Sequence, residues 1–149
     1  MSEEIVKIKI APFGSDLYKE MLDVRDEVLR KPLGLTFKPD VLATEHLHTH
    51  IALLINEKVV ATLVLNEPQN GKVKMRQVAV LEDYRGKGLG EKLVKYSEDY
   101  SRQELGCDLI YCHARQAARR FYDRLEYEVV GEQFEEIGIP HFKMQKPLN

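Results

Sequence analysis

The chain has 149 residues, of which 44% are hydrophobic and 31% are charged, and its formal net charge is −2. These values are typical of a soluble globular protein, predict a single domain over residues 1–149, and argue against an overall positive field that would attract nucleic acid or an anionic membrane. The beginning of the sequence lacks the apolar core of a signal peptide, and no apolar run is long enough to cross a bilayer. Because Cys107 and Cys112 also lack the spacing of a redox or metal motif, we expect a cytoplasmic protein with reduced thiols.

The first third of the chain predicts a strand, a helix and a long loop. "IVKIKI" alternates apolar and polar residues, which indicates a strand with one buried face. A helix is expected after Ser15, which can cap it, because apolar residues follow at helical spacing. Pro32, Gly34 and Pro39 should end the helix and open a loop that continues to about Thr49.

The remaining elements predict one mixed sheet flanked by helices. "HIALLI" and "VVATLVL" form a predicted hairpin around "NEK", and Asn70-Gly71 marks the turn before the strand "VKMRQVAV". A helix with an apolar stripe from Leu89, the strand "LIYCH", a helix over 117–125 and a closing hairpin turning at Gly138 follow. The order β-α-β-β-β-α-β-α-β-β predicts a mixed α/β fold.

Three glycines at alternate positions, Gly86, Gly88 and Gly90, lie where a strand leads into a helix. Such a connection suits a phosphate, because helix N-terminal amides are free to bind anions. The Walker A pattern is absent, and a dinucleotide fingerprint fails because Asp108 precedes the next strand instead of ending it. Close packing of helix on strand is the alternative explanation for the glycines.

The loop "RGKGLG" matches the pattern Arg/Gln-x-x-Gly-x-Gly/Ala. It resembles the pyrophosphate loop of the GNAT N-acetyltransferase superfamily, whose order of elements is also that predicted for nearly the whole chain. "VLRKPLGL", "MRQVAV", "AARRFYDRLEY" and "GIPHFKM" are similar to the ElaA/YjcF-like branch. The resemblance implies the GNAT acyl-CoA N-acyltransferase fold, acetyl-CoA (coenzyme A) as cosubstrate, and acetyl transfer to a primary amine by direct attack in a ternary complex.

The resemblance also implies which residues contact the cosubstrate. The strand backbone near Val78 should pair with the pantetheine arm and donate an N–H to the developing oxyanion, although these residues can also be ordinary core. Tyr122 should be the general acid that protonates the departing thiolate, since a phenol stays neutral at pH 7; a core aromatic is the alternative. The expected coenzyme A-binding residues are Val78, Ala79, Val80, Arg85, Gly86, Lys87, Gly88, Leu89, Gly90, Arg119 and Phe121.

The segment "EHLHTH" carries ionisable groups at the end of the long loop. If this segment is extended, His46, His48 and His50 share one face, but no obvious ligand set completes a metal site and we expect none. Because the loop should border the acceptor side, Glu45, His48 and His50 are candidates for a general base or a substrate contact.

Two other functions stay open from the sequence. One is a coenzyme A-binding sensor or partner protein with this fold and little turnover. The other is a nucleic-acid-binding module built on the arginine-rich segment "QAARRFYDRLEY", which the interleaved Asp123 and Glu126 make less favourable. The acceptor, a small molecule or a peptide or protein amine, and a homodimeric state are not decided by the residues.

Overall fold

A computed structural model describes residues 4–35 and 42–149. Strand β1 (Val6–Ala11) leads into helix α1 (Asp16–Arg25). The Ser15 side chain accepts a hydrogen bond from the Tyr18 N–H at 3.1 Å, which confirms the predicted cap. The apolar positions of α1, Met21 and Val24 among them, are buried against the sheet.

The chain after α1 stays helical up to the Pro32–Gly34 segment, where the sequence predicts the end of the helix. A π-helical turn (Asp26–Arg30) and a 3₁₀ turn (Lys31–Leu33) follow, and Gly34 ends them with a φ of 67°. Pro39 lies outside the described residues. The "EHLHTH" segment is not extended throughout, because Glu45–Leu47 form a 3₁₀ turn before the next strand begins at Thr49.

The predicted order of elements is confirmed. The sheet has the order β1-β2-β3-β4-β5-β7-β6, in which only β4 and β5 run parallel. Its remaining strands and the two later helices are β2 (Thr49–Ile55), β3 (Lys58–Leu65), β4 (Lys72–Val80), α2 (Leu89–Gln103), β5 (Leu109–Arg115), α3 (Arg119–Arg124), β6 (Glu128–Glu136) and β7 (Ile139–Pro147).

Turn chemistry fixes two of the hairpins. Asn56 and Glu57 both have positive φ, as do Ile137 and Gly138, which is the requirement of a two-residue type I′ turn. The predicted turn at Gly138 is therefore confirmed, but it begins one residue earlier, and the following Ile139 already belongs to β7.

The central strands β2 and β3 are buried on both faces of the sheet, which explains their nearly unbroken apolar runs. One face packs against α1, where Met21 contacts a cluster that includes Ala52 and Leu54. The other face packs against α2, where Leu93 belongs to a cluster that includes Leu53. Alternate residues of one strand thus serve two cores.

Strands β4 and β5 pair only in their first halves. The parallel ladder runs from Lys72 to Met75 on β4 and ends at Cys112 on β5, although both strands continue beyond it. A bulge accompanies the separation: Gln77 has a φ of 56°, and the register with β3 shifts near Leu63. The sheet is therefore open between the C-terminal halves of β4 and β5.

Candidate active site

A cleft of about 590 Å³ lies beside the open end of β4. The strand, the glycine loop, the start of α2 and the helix α3 form its walls. Most of the residues expected to bind coenzyme A line it: Val78, Ala79, Val80, Arg85, Gly86, Gly88, Leu89, Gly90 and Phe121.

The glycine loop offers unpaired backbone amides to this cleft. Gly86 and Gly88 have φ values of 78° and 76°, a region that favours glycine, and nothing lies within 4 Å of a Cβ built on either residue. The first α-helical bond runs from the Lys92 N–H to the Gly88 carbonyl at 3.1 Å, so the preceding amides of α2 have no acceptor within the helix. Arg85 supports the loop by donating from Nε to the Val80 carbonyl at 3.0 Å.

The third glycine differs from the other two, because it does not have a positive φ. Gly90 lies inside α2, and a Cβ there would meet the Phe121 ring at 3.4 Å and Val80 at 3.5 Å. These are ordinary van der Waals distances, so close packing of helix on strand, the alternative that the sequence left open, does not require glycine at position 90, whereas backbone conformation explains Gly86 and Gly88.

Two of the expected coenzyme A contacts lie outside the cleft. The Lys87 ammonium sits over the Tyr84 ring, 5.4 Å from its centroid, and the Arg119 guanidinium sits over the Phe142 ring at 5.0 Å. Sequence position could not distinguish the arginines of this region: Arg115 at the end of β5 and Arg124 at the end of α3 line the cleft, whereas Arg119 at the start of α3 does not. The cations that do line the cleft are Arg85, Arg115 and Arg124.

A second cavity, of about 410 Å³, occupies the opening between β4 and β5. The π-helical turn contributes Leu29 and Arg30 to its wall, and the β6–β7 hairpin contributes Glu136. Four residues line both this cavity and the cleft: Val78, Arg115, Ala118 and Tyr122. Molecules bound in the two spaces would therefore meet at these side chains.

Tyr122 is buried at this junction, with 5% of its surface exposed. Burial raises its pKa, and a hydrogen bond with the neighbouring Cys112 thiol adds to the effect. Burial likewise raises the pKa of Cys112 to about 12. Both groups are protonated at neutral pH, so Cys112 is a poor nucleophile and Tyr122 holds a proton, although its raised pKa makes the release of that proton more costly.

The second cavity also contains a histidine–carboxylate pair that the sequence did not identify. The His113 Nδ1 lies 3.0 Å from the Glu136 Oε1. Burial opposes ionisation of Glu136, but the hydrogen bond and charge of His113, with smaller effects of Lys74 and His141, hold its pKa below the usual range. When His113 is neutral and donates from Nδ1, its Nε2 is free to accept a proton. The signal in the sequence was the position of His113 at the end of the strand "LIYCH". The direction in which its side chain points could not be predicted from the sequence.

Residues 14–127 match the model of the Acetyltransferase (GNAT) family. The chain belongs to this family. It is 34% identical over 76 residues to the uncharacterized N-acetyltransferase YitI of Bacillus subtilis, a match that covers 50% of each chain. The chain thus spans about half the length of the curated relatives it matches.

Solved structures share the GNAT fold of this chain. Escherichia coli ElaA has a TM-score of 0.81 at 20% identity, with 95% of this chain and 99% of ElaA covered. An aminoglycoside 6′-N-acetyltransferase complexed with coenzyme A has a TM-score of 0.78 at 16% identity, with 96% and 97% covered. These likenesses confirm the predicted mixed α/β GNAT fold.

The candidates for a general base at the end of the long loop lie elsewhere in this GNAT domain. Glu45 is fully buried, forms an ion pair with Arg25 and accepts a hydrogen bond from the Tyr18 hydroxyl at 3.1 Å. Although burial alone would raise the pKa of Glu45, its bond to Arg25 keeps it low. The carboxylate is therefore an element of a buried network and lines neither the cleft nor the second cavity.

His48 and His50 also have structural partners. The His50 Nε2 lies 2.7 Å from the backbone carbonyl of Glu45, and His48 accepts the Glu67 N–H on Nδ1 at 2.9 Å. Neither histidine lines the cleft or the second cavity, so the geometry does not favour the expected role as a base. In residues 4–35 and 42–149, no three His, Cys, Asp or Glu side chains form a group that could hold a metal ion.

The helices of the domain are short. Among those in the described ranges, none combines the length and apolar character that crossing a membrane requires.

Proposed function

We propose that this chain is an N-acetyltransferase that moves the acetyl group of acetyl-CoA to a primary amine by direct attack in a ternary complex. The observation that carries the proposal is the meeting of two spaces at Tyr122: the glycine-loop cleft and the opening between β4 and β5. A thioester in the first and an amine in the second would approach each other there, which supplies the proximity that bimolecular transfer needs.

The cleft suits coenzyme A for two reasons. The free amides at the start of α2 and the guanidinium groups of Arg85, Arg115 and Arg124 suit a pyrophosphate, and Glu91 is the acidic side chain among the described lining residues. The exposed backbone edge of β4 at residues 78–80 suits an extended pantetheine arm, which can add to a strand through main-chain hydrogen bonds.

The residues at the junction can support each part of the transfer. The amine nitrogen forms a bond to the thioester carbonyl carbon, the carbon–sulfur bond breaks, and the sulfur takes a proton from Tyr122. The backbone N–H near Val78 stabilises the negative charge on the carbonyl oxygen. His113, oriented by Glu136 at 3.0 Å, takes the proton that the amine loses. Tyr122 regains its proton from solvent.

The test of the mechanism removes one hydroxyl group. Tyr122→Phe should lower the rate of the chemical step by about 10²–10⁴-fold, because the proton donor is lost while the ring and coenzyme A affinity remain. The measurement is pre-steady-state acetyl transfer, with coenzyme A affinity measured by calorimetry. Tyr100→Phe is the matched control, since Tyr100 packs against the core and lines neither space. An unchanged rate of the chemical step in Tyr122→Phe would show that this tyrosine is a core aromatic and not the proton donor.

An acetyl-transfer assay also separates the enzyme from a coenzyme A-binding sensor. A sensor would bind coenzyme A but release none from acetyl-CoA when amines are added. We further propose one domain over residues 1–149, membership of the ElaA/YjcF-like branch on the motifs quoted above, and a cytoplasmic location.

A further inference from the structure

We infer that the acceptor amine carries an anionic group, a carboxylate or a phosphate, which the second cavity binds. This inference rests on the proposed function, because it assigns that cavity to the acceptor. The geometry points to it through the charges that the cavity collects from four separate parts of the fold: the π-helical turn, β4, β5 and the β6–β7 hairpin.

Among the charged side chains of the cavity's described lining, cations outnumber carboxylates. Arg30 comes from the π-helical turn, Lys74 and Arg76 come from β4, and Arg115 comes from β5. The carboxylate of Glu136 is the acidic group that lines the same space, and it is bonded to His113. With Glu136 bonded to His113, the four cations give the cavity a positive electrostatic potential, which can attract an anion.

Three of these cations have no carboxylate partner. Among the described residues, Lys74, Arg76 and Arg115 form no ion pair, and the Arg76 Nη1 donates to the neutral Asn66 Oδ1 at 3.0 Å. Burial lowers the pKa of Lys74; the charge of Glu136 opposes this effect and the nearby Arg76 adds to it. Half-buried cations placed this close cost free energy, and a bound anion would offset that cost through charge-assisted hydrogen bonds.

The same charges suit the chemistry of the amine. An amine attacks only as the free base, and neighbouring cations disfavour the ammonium form of a bound amine. An acceptor without an anionic group would therefore lose affinity when it enters as a cation, whereas an anionic group would pair with Arg76 or Arg115 while the nitrogen faces Tyr122. The cavity should select against polyamines and favour a small amine of the amino-acid or amino-phosphate class.

Matched pairs of acceptors test the inference. 4-Aminobutyrate is compared with 4-aminobutanamide, phosphoethanolamine with ethanolamine, and spermidine serves as a cationic amine; kcat/KM is measured from coenzyme A release. We expect the anionic member of at least one pair to be preferred by about 10- to 100-fold, the range of a charge-assisted hydrogen bond. The two pairs distinguish carboxylate from phosphate.

Two variants assign the preference to the cavity. Arg76→Met should remove most of it, while Lys72→Met should keep it, because Lys72 is an exposed residue of the same strand that does not line the cavity. Acetylation of the amide, ethanolamine or spermidine at equal or higher kcat/KM would overturn the inference and leave the proposed function standing.

If none of these amines is acetylated, that result counts against the proposed function. A binding measurement then still tests the anion site. Calorimetry then measures 4-aminobutyrate and phosphoethanolamine binding to the protein saturated with coenzyme A. Binding that Arg76→Met abolishes and Lys72→Met preserves would support the anion site alone. Absence of binding by both compounds would overturn the inference as well.

Discussion

Glu45→Ala should destabilise the protein severely and leave its chemistry intact. The Glu45 carboxylate and the Arg25 guanidinium form an ion pair in which both side chains have no exposed surface. Removing one partner of a buried pair typically costs about 3–5 kcal/mol, because the remaining charge stays in a low-dielectric environment. The Tyr18 hydroxyl also loses its acceptor.

The magnitude can be expressed as a melting temperature. For a domain of this size, 1 kcal/mol corresponds to a shift of about 2–4 °C, so Glu45→Ala should lower Tm by about 6–20 °C. Replacing Arg25, Glu45 and Tyr18 together, with Arg25→Met, Glu45→Leu and Tyr18→Phe, should recover most of the loss, because apolar side chains of similar volume can fill a buried ionic site at little cost.

Calorimetric or circular-dichroism melting measures the stability, and single-turnover acetyl transfer at a temperature where each variant is folded measures the chemistry. Glu57→Gln is the control, because Glu57 pairs with Lys7 on the surface and should leave Tm unchanged. A Glu45→Ala protein that melts like the parent but transfers acetyl groups at least tenfold more slowly would refute this reasoning and restore Glu45 as a candidate base.

Two further predictions concern pH and the glycine loop. Burial lowers the pKa of His50 in the folded state, so the unfolded chain binds a proton at higher pH than the folded chain does. The free energy of unfolding should therefore fall as the pH drops from about 6.5 towards the lowered pKa. Urea titrations at several pH values should show a shallower decline for His50→Gln. Gly88→Ala should lower the free energy of unfolding by about 1–2 kcal/mol in the same titrations, because the φ of Gly88 is 76°. Gly90→Ala should not lower it, because Gly90 lies within α2. Equal losses of stability in the two variants would contradict the distinction between these glycines.

Local signals in the sequence predicted the elements and the cosubstrate loop. Ser15 caps α1 as expected, and Gly86 and Gly88 lie between a strand and a helix as expected, because caps and turns depend on a few neighbouring residues. The resemblance to GNAT proteins then related the loop to coenzyme A, which spacing alone could not do.

Contacts between distant parts of the chain were not predictable in the same way. The partners Arg25 and Glu45 are 20 positions apart, and His113 and Glu136 are 23 apart, so no local pattern joins them. For this reason Glu45 could be taken for a free base near the acceptor, and His113 could not be oriented. The π-helical turn that brings Arg30 to the second cavity also has no reliable sequence signal, because such turns are rare.

The separation of β4 from β5 has a consequence for how this sheet avoids aggregation through strand pairing. Unpaired strand edges invite pairing with a neighbouring molecule, and proteins usually protect them with charge. The outermost strands here follow that rule, since β1 carries Lys7 and Lys9 and β6 carries four glutamates. The edges left open for a ligand instead face each other inside the sheet. The unpaired backbone of β4 is therefore open to a small molecule, while its position inside the sheet keeps a strand of another protein from pairing with it.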